Sequence, residues 1–283
     1  MTVVVTGSTG NVGRALVPAL TTRGVQVTAV SRRAVPGGLP DGARHVRADL
    51  GEAESLRGAL RGADALFVLL AGEMLIGGER AETLLGVAEE EGVRRVVLLS
   101  SQITATRPEA VSHRRLREFE EAVRGSGSSE WTILRPGGFA SNAFAWAESV
   151  RAERTVFAPY GDVALPVVDP VDIAEVAAVV LREEGHAGEI YELTGPAAVT
   201  PREQAAVLAG LLGEEVAFTE LSRETASARM AQFMPAEVVG GTLDILGLPL
   251  PAEQVVSPDV EKVLGRPAAP FSAWAARSLP AFR

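Results

Sequence analysis

The chain has 283 residues, of which 47% are hydrophobic and 22% charged, and its formal net charge at pH 7 is -9. The chain contains no cysteine, which excludes disulfides, thiolate catalysis and cysteine metal sites. Its three histidines are widely separated in sequence, so we predict no metal site. The net negative charge argues against a nucleic-acid partner. Without a long apolar run or a basic leader, we predict a cytoplasmic protein that does not contact a membrane.

The N-terminal stretch predicts a nucleotide-binding turn. Four residues of strand character, 3–6, run into three glycines spaced three apart, and an amphipathic helical pattern follows them. Such glycines permit a tight turn, close approach of the backbone to a pyrophosphate and close packing of the helix, whose N-terminus offers free N–H groups. Pro18 removes one hydrogen bond of this helix and predicts a kink. The predicted dinucleotide contacts are Gly7, Thr9, Gly10, Asn11, Val12 and Gly13.

The second predicted strand, residues 25–30, ends in basic residues. An acid about 20 residues beyond the glycines would bind the ribose 2'-hydroxyl of NAD, but Ser31, Arg32 and Arg33 stand there instead. Two arginines can neutralise a 2'-phosphate, so Arg32 and Arg33 predict NADP(H) as the cofactor. A solvated basic turn is the alternative interpretation.

Two further strand ends add predicted cofactor contacts. A short third strand ends at Asp49, whose carboxylate either accepts from the adenine amino group or caps the helix predicted over residues 52–60, and both roles can hold together. The apolar run 64–70 predicts a buried parallel strand, followed by small residues that let a nucleotide pass close to the backbone. The predicted contacts are Asp49, Leu50, Leu70, Ala71 and Gly72.

Strand and helix patterns alternate through five strands, with a helix over residues 79–91 and a strand over 93–99. This alternation predicts an α/β protein with a Rossmann-type doubly wound parallel sheet, whose ligand lies outside the carboxyl ends of the strands. A helix over 107–124 and a sixth strand over 131–135 continue the pattern. The strand ends add Ser100, Pro136 and Gly137 as predicted cofactor contacts.

The regularity weakens after residue 138. A helix is predicted over 139–150, a second begins with Asp169 as its N-cap, and a strand follows at 189–193. We predict a Rossmann domain formed by residues 1–135 and 155–195, and a smaller, mainly helical C-terminal substrate lobe formed by 136–154 and 196–283. Core packing is the alternative role of the aromatic residues in this lobe. The predicted substrate contacts are Phe139, Phe144, Trp146 and Phe233.

Six motifs occur in order along the chain: Val-Thr-Gly-Ser-Thr-Gly-Asn-Val-Gly at 5–13, Ser-Arg-Arg at 31–33, Ala-Asp-Leu at 48–50, Leu-Leu-Ser-Ser at 98–101, Trp-Thr-Ile-Leu-Arg-Pro-Gly at 131–137 and Val-Asp-Pro-Val-Asp-Ile-Ala at 168–174. Together they resemble the NmrA-like family, atypical members of the short-chain dehydrogenase/reductase superfamily, over nearly the whole length. The resemblance implies a Rossmann domain that binds NADP(H) and a small lobe that shapes a substrate cleft. Family members include quinone and dye reductases, ketoreductases of natural-product pathways, and regulators that bind the nucleotide without turnover.

The chain departs from the superfamily at its usual catalytic pair. Typical members use a Tyr-x-x-x-Lys pair, but neither tyrosine here is followed by lysine at that spacing, and Lys262 is the only lysine. The corresponding helix offers His113 as a proton donor, with Arg114 or Arg117 as ribose or oxyanion partners. Ser101 and Gln102 lie near the position of the superfamily's catalytic serine. A solvated histidine and an ordinary strand-end cap are the alternatives.

These observations predict an NADPH-dependent oxidoreductase of a quinone or an aromatic polyketide-type carbonyl, acting in natural-product biosynthesis. Such acceptors delocalise the developing negative charge and need less help from a protein acid. The sequence leaves open a homodimer and two other functions. One is a regulator that senses NADP(H) without catalysis, and the other is an atypical member that assists oxygenation or coupling of an aromatic intermediate.

Overall fold

The computed structural model describes residues 1–34, 37–127, 130–232 and 234–283. Its strands are β1 (Thr2–Val5), β2 (Gln26–Ser31), β3 (Ala43–Arg47), β4 (Ala65–Leu69), β5 (Arg95–Leu99), β6 (Glu130–Pro136), β7 (Thr155–Ala158), β8 (Glu189–Leu193) and β9 (Ala217–Glu220). Seven of them form one parallel sheet in the order β3-β2-β1-β4-β5-β6-β8, and β7 pairs with β9 in a separate sheet.

The α-helices are α1 (Gly13–Thr21), α2 (Arg57–Leu60), α3 (Ala81–Glu90), α4 (Ile103–Thr106), α5 (Arg114–Gly125), α6 (Ala147–Glu153), α7 (Pro170–Arg182), α8 (Pro201–Leu212), α9 (Arg223–Met230), α10 (Ala236–Gly247), α11 (Asp259–Leu264) and α12 (Phe271–Ser278). Short 3-10 turns cover Ala53–Leu56, Gly72–Leu75, Val111–His113, Ala140–Trp146, Pro251–Glu253 and Leu279–Phe282. No helix in the described ranges is long and apolar enough to cross a membrane.

Both faces of the main sheet are buried. In β1, Val3 and Val5 belong to the apolar cluster that includes α1 and α7, whereas Val4 belongs to the cluster beneath α3 and α5. Successive strand side chains point to opposite faces, so a continuous run of valines is what a sheet covered on both sides requires. The sheet order reverses between β1 and β4, which places a ligand-binding crevice at their carboxyl ends. The predicted doubly wound α/β fold is confirmed.

The C-terminal part of the chain packs around a third apolar cluster, which contains Phe271, Trp274 and Phe282. Two buried carboxylates at the start of α7 hold this part in place. Asp169 caps α7 and also accepts from Arg277, while Asp172 accepts from Arg266 Nη2 at 2.8 Å and from the Ala269 N–H at 2.6 Å. The sequence pattern identified Asp169 as a cap but did not indicate these partners about 100 residues away.

Two predicted helices differ from the structure, and one pair of strands was not predicted. The helix predicted from residue 107 begins at Arg114, because Arg107 precedes Pro108 and adopts a non-helical conformation (φ -132, ψ 72). The helix predicted over 139–150 is a 3-10 segment followed by α6. The pair β7 and β9 was not predicted, since each strand has four residues and their partners are about 60 residues apart.

Substituting Asp172 tests how strongly the C-terminal segment is held. We expect Asp172→Asn to lower the free energy of unfolding by about 2 kcal/mol, because it removes a charge-assisted acceptor from a buried site whose arginine partner is half exposed. Urea denaturation followed by tryptophan fluorescence measures this change. Glu175→Gln, which breaks the surface pair with Arg23, is the matched control and is expected to cost less than ~1 kcal/mol. Equal effects of the two substitutions would contradict the role of Asp172 in holding the C-terminal segment.

Candidate functional site

The glycine loop between β1 and α1 is closed tightly. Gly7 has a left-handed backbone (φ +61), and its carbonyl accepts from the Gly10 N–H at 3.0 Å. A Cβ added at Gly13 would lie 2.7 Å from the Cα of Ser8, so no side chain fits at that position. Helix α1 can therefore approach the loop closely, as the sequence predicted.

The N-terminus of α1 is free to bind an anion. Among the described residues, no side chain caps the helix at its N-cap residue, Val12, and the first turn of α1 contains no acidic residue. Gly10 and Asn11 are exposed, and the Asn11 amide donates to Ser141 Oγ at 3.0 Å. Uncapped N–H groups and the positive helix end together attract phosphate.

Two side chains that the sequence analysis did not single out fix the loop to its neighbouring strands. Thr6 Oγ1 donates to the Phe67 carbonyl at 3.0 Å and accepts from the Leu69 N–H at 2.9 Å. Ser8 Oγ donates to the Val30 carbonyl at 3.0 Å. Both hydroxyls are buried, so they hold the loop between β2 and β4.

Arg32 and Arg33 follow β2 and are exposed. Within the described ranges, neither guanidinium has a hydrogen-bond or ion-pair partner that would compete with a ligand. Ser31 Oγ donates to the Arg33 carbonyl at 2.6 Å and lies 2.9 Å from His45 Nε2, which orders the turn. The arrangement is compatible with the predicted contact to a 2'-phosphate.

At the end of β3, the Asp49 carboxylate accepts from the Gly51 N–H at 2.9 Å. The next helical turn begins after Glu52, so the alternative role of Asp49 as a helix N-cap is wrong and the carboxylate stabilises a turn instead. Contact of Asp49 and Leu50 with the adenine stays a prediction. After β4, Leu70 is buried, while Ala71 and Gly72 are exposed at the surface where the nucleotide is predicted to pass.

A buried carboxylate joins the ends of β5 and β6. Glu120 of α5 accepts from Ser100 at 2.6 Å, from Thr104 at 2.7 Å and from Arg135 at 2.5 and 3.0 Å. Burial alone would raise the pKa of Glu120, but these donors lower it below its usual value. Ser100, a predicted cofactor contact, therefore uses its hydroxyl to position Glu120. Glu120 was detectable in the sequence as a charged residue on the apolar face formed by Leu116, Phe119 and Val123.

The two predicted strand-end catalytic residues are tied to the surrounding structure. Ser101 Oγ accepts from the Ile103 N–H at 3.2 Å, which is the strand-end cap of the alternative interpretation. Gln102 is buried and donates through Nε2 to the Ala252 carbonyl at 3.1 Å. Pro136 and Gly137 lie beside it, with the Pro136 carbonyl accepting from the Gln102 N–H at 2.9 Å. The catalytic roles of Ser101 and Gln102 stay predictions.

An open cleft of about 510 Å³ lies between the segment after α4 and helix α10. Its lining includes Pro108, Ala110 and Val111 on one side and Gly241 and Ile245 on the other. A second, smaller pocket of about 40 Å³ shares Val111 and Ser112 with the cleft. We call it the Arg115 extension, and its other lining residues are Leu75, Ile76, Arg114, Arg115 and Val238. The two pockets thus lie beside the segments that follow β4 and β5.

His113 lies next to the cleft lining, with Nδ1 2.9 Å from Ser112 Oγ. Burial, assisted by the positive charge of Arg117, lowers the pKa of His113 to about 4. The imidazole is therefore neutral at pH 7 and can donate one hydrogen bond, and the role of His113 as a proton donor stays a prediction. Arg117, its predicted partner, donates to the Ala110 carbonyl at 2.9 Å.

The aromatic residues predicted to wall the substrate site pack elsewhere. Phe144 is 40% exposed and contacts Trp274 edge-on and Phe282 face to face at the border of the third apolar cluster. Trp146 is partly buried against the same cluster, so the alternative role in the core describes Trp146. Phe139 packs partly on the core beneath α1 and α7. Phe233 lies outside the described residues.

The tyrosines and the lysine are also engaged elsewhere. Tyr191 is buried in β8, where its hydroxyl lies 2.8 Å from His186 Nδ1, and the Lys262 ammonium lies 5.5 Å from its ring centre. Tyr160 accepts from Arg223 at 3.2 Å. In the described part of the chain, Tyr160, Tyr191 and Lys262 therefore do not form a substitute for the Tyr-x-x-x-Lys pair.

The NAD(P)H-binding family profile matches residues 7–184. The chain belongs to this NAD(P)H-binding family. It is 37% identical over 286 residues to a (4-alkanoyl-5-oxo-2,5-dihydrofuran-3-yl)methyl phosphate reductase of Streptomyces griseus and 29% identical to an NAD(P)H azoreductase of Xenophilus azovorans, each covering 99% of both chains. The structure is also similar to Escherichia coli quinone oxidoreductase QOR2 complexed with NADPH, with 25% identity, a TM-score of 0.78 and 98% of both chains covered.

These comparisons confirm the resemblance to the NmrA-like, atypical short-chain reductases and the prediction of an NAD(P)H-dependent oxidoreductase with NADP(H) as cofactor. Two structural features of the glycine loop fit that cofactor. The position of Gly13 has no room for a side chain, and the N-terminus of α1 is uncapped. The bound nicotinamide supplies a hydride. The loop would hold the pyrophosphate and thereby fix the cofactor at the sheet edge.

The glycine loop gives a prediction about binding. We expect Gly13→Ala to weaken NADPH binding at least about tenfold, because the added methyl would push α1 away from Ser8 and the phosphate-binding N–H groups would move. Calorimetric titration with NADPH measures the affinity. Gly86→Ala in α3 is the control: its added Cβ meets no atom within 4 Å, so binding should be unchanged. Native affinity in the Gly13 variant would refute the proposed loop contact.

The lowered pKa of His113 predicts a pH-dependent stability. Between about pH 4 and pH 6.5 the unfolded chain binds a proton at this residue that the folded chain does not, so the free energy of unfolding falls as the pH falls. We expect His113→Gln to remove about 2 kcal/mol of the loss between pH 7 and pH 4. Urea denaturation of both proteins at several pH values measures the two slopes. Parallel slopes would show that His113 is not a buried neutral imidazole.

Proposed function

We propose that this protein is an NADPH-dependent reductase of a conjugated acceptor, a quinone or an aromatic polyketide-type carbonyl. The observation that carries the proposal is that the site beside the cleft holds a neutral histidine where the superfamily uses a tyrosine and lysine pair. Without a strong acid, the acceptor itself must stabilise the charge that develops when hydride arrives.

The named relatives support this choice of acceptor. A quinone and an azo group are both conjugated, and the Streptomyces griseus relative is named for a furanone that carries an oxo group, an alkanoyl group and a ring double bond. In each, hydride addition leaves negative charge on a delocalised system that ends at oxygen or nitrogen. The acceptor of our protein is proposed to share this property, and an aromatic polyketide-type carbonyl is one example.

The residues of the chain are proposed to position the reactants. The cleft beside Pro108 to Ser112 and helix α10 binds the acceptor, and Ala110, Val111 and Ile245 are its apolar contacts. His113 donates a hydrogen bond to the oxygen on which negative charge develops, while the Ser112 hydroxyl fixes the imidazole orientation. Solvent then supplies the proton to the delocalised product anion.

The same proposal includes cofactor selectivity and the division of the chain. Arg32 and Arg33 are proposed to bind the 2'-phosphate, which favours NADPH over NADH. Residues 1–135 and 155–195 are proposed as the NADP-binding domain and the remainder as the substrate lobe, except that β7 belongs with the lobe because it pairs with β9. Cytoplasmic location is proposed on the sequence grounds given above.

Nucleotide binding and turnover test the proposal together. We expect NADPH to bind about tenfold or more tightly than NADH, and the Arg32→Ala/Arg33→Ala variant to lose this preference, because each arginine contributes a charge-assisted contact. Absorbance decay of NADPH with a panel of quinones and aromatic ketones measures turnover. An Arg61→Ala variant, which removes an exposed arginine on the loop after α2, should keep the preference.

Two outcomes would refute parts of this proposal. Equal affinity for both nucleotides would remove the role of the arginine pair. Tight NADPH binding without decay on any acceptor would favour the sensing regulator or the non-redox family member instead of a reductase.

A further inference from the structure

The Arg115 extension contains a buried donor without an acceptor. Arg115 is 8% exposed; its Nη1 donates to Glu118 at 2.6 Å and its Nη2 to the Glu79 carbonyl at 2.5 Å. Its Nε is buried and has no hydrogen-bond partner in the described part of the chain. Buried polar groups in folded proteins are nearly always paired, so an unpaired guanidinium N–H beside a cavity indicates a ligand or a water.

The charges around the extension favour an anion. Arg114 and Arg115 both line it, and they share one carboxylate, Glu118, at 3.7 and 2.6 Å. The guanidinium of Arg115 is also held rigidly, because it lies 5.3 Å from the ring centre of Phe119. A fixed, poorly solvated guanidinium binds oxyanions more strongly than an exposed lysine does.

The rest of the extension is mainly apolar, and it shares Val111 and Ser112 with the larger cleft. Leu75, Ile76 and Val238 line the extension, and Val111, which is 63% exposed, lines both cavities. In the larger cleft, Asp244 is paired with Arg223 at 2.7 Å, while Glu109 adds a carboxylate. Because Arg107 in that cleft is paired with Glu253 and Asp244 is paired with Arg223, the two arginines that share Glu118 offer an anionic group the more favourable site.

We propose that the Arg115 extension binds an oxyanion carried by the substrate, a phosphate monoester or a carboxylate, while the conjugated, less polar part of the same molecule occupies the larger cleft. This inference rests on the proposed function, because it takes the larger cleft as the substrate site. Arg115 Nε donates to the oxyanion, and Arg114 and Ser112 line the same pocket. The substrate is thus anionic and carries one apolar conjugated portion.

Nuclear magnetic resonance of the native protein tests the contact directly. With NADP+ bound to fill the cofactor phosphate sites, phenyl phosphate and benzoate are titrated separately and the arginine ¹⁵Nε–¹Hε signals are recorded. The signal of Arg115 is identified by its absence in Arg115→Lys, which keeps the charge but has no Nε–H. We expect this signal to move with at least one anion and not with benzyl alcohol. A signal that moves with neither anion means that the extension holds water only and overturns the proposal.

Calorimetry of the same NADP+ complexes gives the size of the effect. We expect the favoured anion to bind at least about tenfold more tightly than benzyl alcohol, and Arg115→Lys to lose about tenfold of that affinity. Whichever of phenyl phosphate and benzoate binds more tightly identifies the group on the substrate. Arg61→Gln, the exposed control, should bind as the native protein does. Unchanged anion affinity in Arg115→Lys would overturn the proposal.

The two proposals fail in different ways. If no quinone or ketone is reduced but the anion still binds at Arg115, the proposed function is wrong and the oxyanion site stands. If quinones are reduced and no anion binds, the oxyanion site alone is wrong.

Discussion

The hydrogen bonds of the buried Glu120 carboxylate determine how α4, α5 and the ends of β5 and β6 are arranged beside the cleft. The carboxylate lies on α5 and accepts hydrogen bonds from Ser100 after β5, Thr104 in α4 and Arg135 in β6. Taking a carboxylate out of water is expensive, and only a full set of donors offsets that cost. The four elements are consequently held in one arrangement, which fixes where α5 begins. His113 and Arg115, at that beginning, owe their positions beside the cleft to this network.

A second buried carboxylate fastens the C-terminal part across the same edge. Glu253 accepts from Thr106 at 2.8 Å and from Arg107 at 2.7 and 2.9 Å, and these donors outweigh burial and lower its pKa. Gln102 reaches the Ala252 carbonyl from the same side. The segment 248–254 therefore follows the end of α4 closely. Since α10 leads directly into that segment, the far wall of the cleft is positioned by contacts made at the sheet edge.

The sequence predicted well those features that depend on neighbouring residues. Gly7, Gly10 and Gly13 follow a strand and begin a helix, so the geometry of the loop could be predicted from their spacing alone. The predicted strand 189–193 has the observed bounds. Features that depend on distant partners were not predictable in this way. Phe144 packs on residues 274 and 282, which no local pattern reveals, and it was therefore placed in the substrate site. The same limit applies to Arg115, whose missing acceptor becomes visible only when α5 is packed.

The chemistry of the site follows from what its groups can and cannot do. Burial keeps His113 neutral, so it can orient and polarise an acceptor but cannot deliver a proton readily near pH 7. In the proposed function, the reductase selects its substrate by electronic structure as well as by shape, because a simple ketone would leave an unstabilised alkoxide. The rigid guanidinium of Arg115 can then contribute binding at a point remote from the reacting atoms. Binding energy from such a remote group can hold the acceptor against the nicotinamide. Correct orientation of the acceptor can then raise the rate of hydride transfer, which acid catalysis raises in superfamily members with the Tyr-x-x-x-Lys pair.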